Sequence, residues 1–76
     1  MVSWKVKWHV GRYATDANGN PVSVYDGEIF CESMDEKPTE GVANGAWLFE
    51  IDTSKIYCFN ERTKQWVEWG GGNNGV

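Results

Sequence analysis

Hydrophobic and polar positions alternate along much of this chain with the two-residue period of half-buried β-strands. From Ser3 to Val10, Trp4, Val6, Trp8 and Val10 fall on one face, and Lys5, Lys7 and His9 on the other. The pattern is densest in Ala46 to Trp69, where the runs Ala46–Ile51, Ile56–Phe59 and Trp66–Trp69 are separated by polar clusters of Asp, Thr, Ser, Asn and Lys. Such clusters are the punctuation of tight turns, so this stretch predicts a three-stranded meander. A two-residue loop at Thr53-Ser54 sets Ile51 opposite Ile56 and Phe49 opposite Cys58. A four-residue loop from Glu61 to Lys64 sets Cys58 opposite Val67. Together these turns place Trp47, Phe49, Ile51, Ile56, Cys58, Val67 and Trp69 on one face, which is expected to be the core. Leu48, Glu50, Tyr57, Phe59, Trp66 and Glu68 share the other, mixed face.

Between these regions, Asn18-Gly19 reads as a type I′ hairpin turn, with Pro21 beginning the returning strand. Val22–Tyr25 and Glu28–Cys31 read as strands about an Asp26-Gly27 turn. The pattern stops between Glu32 and Gly45, an exposed connection of the kind that often carries binding function. Ser33 and Glu36 have capping-box spacing for a single helical turn. The expected architecture is all-β: a small antiparallel sandwich or partly open barrel of five to six strands, forming one domain over residues 1–69. Residues 70–76 are expected to be a flexible Gly/Asn tail.

Composition changes this picture in three ways. At 76 residues the chain has little core, and its five Trp, three Tyr and three Phe must supply much of the buried area. Eleven aromatic rings exceed what so small a core absorbs, which points to a subunit interface and to oligomerisation. The net charge of −4 is also unevenly spread, with three basic residues and no acid before Asp16, then nine acids against Lys37 alone up to Asp52. That balance argues against nucleic-acid binding, which depends on phosphate neutralisation. No run approaches the ~20 apolar residues of a spanning helix, so no membrane partner is expected.

The candidate chemistry is sparse. Cys31 and Cys58 are expected to be free thiols. Asp16, Asn18 and Asn20 have the spacing that opens a calcium loop, but Pro21 and Gly27 stand where that loop needs Gly and Glu, so a hairpin turn is favoured. His9 lacks a ligand partner at metal-binding spacing, and Glu50, Asp52 and Glu68 do not suggest a catalytic cleft. No catalytic residue, metal site or cofactor is assigned, and the chain is not expected to be an enzyme. The candidate protein interface comprises Trp4, Lys5, Lys7, Trp8, Tyr57 and Trp66, with the basic first strand meeting acidic surface.

Asp35–Gly45, Ile51-Asp52-Thr53, Tyr57-x-Phe59-Asn60 and Trp66 resemble a pattern found in small proteins of tailed bacteriophages and prophages. There, a KPT-x-G-x-x-x-G segment precedes an (I/V)DT turn and a Y-x-F-(D/N) strand that ends at a Trp. The match covers about half the chain. The resemblance implies a structural virion protein, made in the host bacterial cytoplasm. The expected form is a capsid-decoration or head-fibre type subunit, bound to the major capsid protein or another virion protein. The alternative is a tail or adhesion component whose exposed aromatics bind host-surface carbohydrate.

Overall fold

In a computed structural model, residues 1–69 are described, and the expected tail at 70–76 lies outside them. Five strands, β1 (Ser3–Thr15), β2 (Pro21–Cys31), β3 (Trp47–Glu50), β4 (Lys55–Asn60) and β5 (Gln65–Glu68), form one sheet in sequence order. The chain is all-β with a C-terminal three-stranded meander, as the alternation predicts. The sheet is mixed, because β2 and β3 run parallel while the other neighbours are antiparallel. Parallel neighbours need a crossover. Residues 32–46 provide it, and their course decides which face of the sheet is buried.

After β2 the chain makes a β-turn in which the Asp35 amide donates to the Glu32 carbonyl. No helical turn forms there, and the Ser33 hydroxyl donates to Asp52 at 2.5 Å. The segment then crosses one sheet face and returns between β2 and β4. On one side the Tyr25 amide donates to Gly41 and Tyr25 accepts from Ala43. On the other, Gly45 donates to Phe59 and Phe59 to Ala46. Val42, Ala43 and Ala46 are buried by this path.

The covered, inner face holds Ile29, Cys31, Leu48 and Phe59, with Trp4, Tyr57 and Trp66 packed against them. This reverses the expected orientation of the meander. The two side-chain sets are the predicted ones, but the mixed set faces inward. Ile51, Val67 and Trp69 are each more than half exposed, and Cys58 lies opposite Trp47 on the outer side. The β4–β5 register pairs Cys58 with Val67, as expected. The β3–β4 turn is longer than expected: Phe49 pairs with Ile56, leaving Ile51–Ser54 as a four-residue turn. That two-residue slip preserves both faces.

The expected turn at Asp26-Gly27 is also absent, since β2 runs through it. Val24, Ile29 and Cys31 are the buried hydrophobic residues of β2. Gly27 lies between Val24 and Ile29 with φ 151°, paired with Lys7 of β1. A Cβ there would sit 1.9 Å from the Val6 carbonyl oxygen, so only glycine fits. At the hairpin tip Gly19 alone has positive φ, so the turn is not type I′. The Asp16 carboxylate instead accepts the amides of Asn18 and Asn20 at 2.9 and 2.8 Å.

Candidate functional site

Crossover residues are held to the inner face by polar contacts. Lys37 brings its ammonium 3.1 Å from the Glu50 carboxylate, the buried acid of β3. The Thr53 hydroxyl donates to Glu50 at 2.6 Å. This hydrogen bond, aided by Lys37, outweighs burial and holds the Glu50 carboxyl below its ordinary range. Burial pushes the neighbouring Tyr57 hydroxyl upward, and the charge of Glu50 adds to that effect. The Trp66 indole N–H donates to the Pro38 carbonyl at 2.9 Å. Ser33 is tied to Asp52, whose carboxyl is lowered chiefly by the hydroxyl it accepts.

At the other end of the sheet, Arg12 reaches the β4–β5 turn and donates to both oxygens of Glu61. Glu61 also accepts the Asn44 amide, while its own amide donates to the Asn44 side chain. The Glu61 carboxyl is accordingly lowered, mainly by Arg12. These contacts tie the far end of β1 and the crossover to the β4–β5 turn. Lys37, Asp52 and Glu61 are thus engaged as structural ties.

The outer face has a different character. Pairing across the strands aligns Val6, Glu28, Trp47, Cys58 and Val67 in one row. The next row holds Phe30, Phe49 and Ile56, with Trp69 joined to the Ile56 carbonyl by its amide. Phe30 and Phe49 meet edge to face at 5.7 Å, and Trp47 packs against Trp69 at 5.2 Å. A shallow depression of about 230 Å³ opens between Glu28, Phe30, Trp47, Phe49 and Ile56. On β3, β4 and β5 these rows contain no charged residue. Water therefore meets a nearly continuous apolar sheet face.

The six candidate interface residues divide between the two faces. The Lys5 ammonium lies 5.7 Å from the Phe30 ring, and Trp8 is 51% exposed, paired with Asp26. Both belong with the outer face. Trp4, Tyr57 and Trp66 pack against the inner core. Lys7 lies over the rings of Trp4 and Tyr25, at 5.2 and 4.6 Å. The alternation assigned Trp47, Val67 and Trp69 to the core, so their availability as surface was missed. The chain offers no local signal for it, because both meander faces are rich in apolar residues.

Cys31 and Cys58 are free and lie on opposite faces of the sheet. Burial raises both thiols above their ordinary value, so neither is an activated nucleophile. Among the described residues no cluster of His, Cys, Asp and Glu is arranged to hold a metal ion, and no helix is long and apolar enough to cross a membrane. Comparison with protein families, curated proteins and solved structures finds no match to this chain.

Proposed function

We propose that this chain is a structural protein of a tailed bacteriophage, an accessory subunit that decorates the outside of the capsid through protein–protein contacts. The observation that carries this reading is the open apolar outer face, on which Trp47, Val67 and Trp69 are 43%, 52% and 58% exposed. Apolar area of this kind, set on a rigid sheet, suits docking to another protein. The resemblance in the crossover and meander supplies the virion context. In this reading the chain needs no cofactor and performs no catalysis. Its partners are the major capsid protein or another virion protein, together with further copies of itself.

A carbohydrate-binding role in a tail or adhesion component is the second reading, favoured by exposed Trp8 and Trp47 with the Glu28 carboxylate nearby. Trp69 already packs against Trp47, which leaves less of that ring for a sugar.

Mass spectrometry of gradient-purified particles of the encoding phage is the deciding experiment. The chain is expected there in fixed ratio to the major capsid protein. Its absence from the particles, with the chain abundant in the lysate, would refute the virion reading. A glycan array separates the two readings, since decoration predicts no signal.

A further inference from the structure

We propose that the outer face is covered by the same face of a second copy of this chain, so that two sheets pack as a two-layer β-sandwich. The inference deepens the reading above by naming one partner of this surface. It rests on that reading only in treating the surface as protein-contacting, whatever particle the protein belongs to.

The exposed area is the first argument. Val6, Trp8, Trp47, Ile51, Val67 and Trp69 are between 41% and 58% exposed. With roughly 250 Å² for a whole Trp, they leave on the order of 600 Å² per copy before half-buried neighbours are counted. That already reaches the upper end of the patch found on ordinary monomers, about 300–600 Å². With Phe30, Phe49, Ile56 and Cys58 added, it approaches the roughly 800 Å² per partner of a standard interface.

Self-complementarity is the second argument. The two outer rows lie on the same strands, so a two-fold axis running across the strands between them sets each row against the other row of the second copy. Phe49 then meets Trp47, Ile56 meets Cys58, and Trp69 meets Val67, apolar against apolar on three strands. On β2, Phe30 with the Lys5 ammonium above it meets Glu28. The face thus carries both the base and the acid of an ion pair at positions that this symmetry brings together. Face-to-face sheets about 10 Å apart with strands inclined by about 30° are the usual aligned packing.

Cys58 provides a native reporter, because it lies within the face while Cys31 is sealed on the other side. Alkylation by iodoacetamide at fixed reagent concentration is measured at low and high micromolar protein, alongside sedimentation velocity. The wild type is expected to shift from monomer to dimer. The Cys58 rate should fall at least about tenfold as the monomer fraction is depleted. Val67→Glu and Trp69→Ser alter exposed positions, and both are expected to remain folded monomers with a concentration-independent Cys58 rate. A wild type that stays monomeric with Cys58 equally reactive throughout would overturn the proposal and leave the face to a different protein or a glycan. Dimerisation without protection of Cys58 would also overturn it, placing the contact elsewhere, such as the free edge of β1. Neither result bears on whether the chain is found in phage particles.

Discussion

The Glu50 carboxylate on β3 and the Lys37 ammonium on the crossover lie 3.1 Å apart beneath the cover of the sheet, and this pair joins the buried face to the segment that buries it. Lys37→Met leaves a carboxylate under the cover without its cation. Urea unfolding is expected to register a loss of about 3 kcal/mol. The double variant Lys37→Met/Glu50→Met should recover most of that loss, because apolar replacement of both partners removes the unpaired charge.

The same pair sets a pH window. The Glu50 carboxyl is held below its ordinary 4.5, first by the Thr53 hydroxyl and then by Lys37. Its stabilisation is therefore complete above pH 4.5 and is lost as the pH falls through the depressed value. Burial alone would lower Lys37, but its hydrogen bond to Glu50 and the negative charge of Glu50 and its neighbours together outweigh burial and hold the ammonium above its ordinary 10.5. Its contribution is complete below pH 10.5 and is lost as the pH rises through the raised value. Stability curves against pH should show Glu50→Gln removing part of the acid-side loss.

Leu48 and Val67 test which face is inside. Leu48 is fully buried and Val67 is 52% exposed. At protein concentrations low enough to keep the chain monomeric, Leu48→Ala should cost about 3 kcal/mol, while Val67→Thr should stay within about 0.5 kcal/mol. The opposite order in denaturant melts would restore the orientation expected from alternation.

Gly27 is predicted to be intolerant of any side chain. A Cβ would lie 1.9 Å from the Val6 carbonyl oxygen, and φ is 151°. Gly27→Ala should lose at least about 3 kcal/mol or fail to accumulate as folded protein. Gly19→Ala has open space at its Cβ, so it should show only the smaller strain of a positive φ, about 1 kcal/mol.

Ser54 closes the β3–β4 turn with φ 60°, a left-handed conformation that glycine adopts more readily. Ser54→Gly should raise the melting temperature slightly, by up to about 1 kcal/mol of stability. A fall in melting temperature would show that the side chain contributes more than the strain costs.

Because Cys31 and Cys58 project from opposite faces, no intramolecular bridge forms without unfolding the sheet. Reducing agent is expected to leave the melting temperature unchanged at low protein concentration. A fall of several degrees would reveal a bridge that these positions do not allow.

The amino-acid sequence by itself determined the three meander strands, the division of each into two side-chain sets, and the Cys58–Val67 register, but not the continuity of β2 through Asp26-Gly27. Period-two alternation and polar turn residues act over a few neighbours, so they are legible without a fold. They did not determine which set is inside. Alternation states which residues share a face, and here one set contains Trp47, Ile56 and Val67 while the other contains Leu48, Phe59 and Trp66. With apolar residues on both sides, the choice passes to whatever covers the sheet. That cover is the crossover, whose Lys37 neutralises Glu50, whose Pro38 accepts the Trp66 indole, and whose Val42 and Ala46 fill the space beside Phe59. Each contact joins residues far apart along the chain, so tertiary structure alone made the all-apolar set the outer face and the acid-bearing set the core.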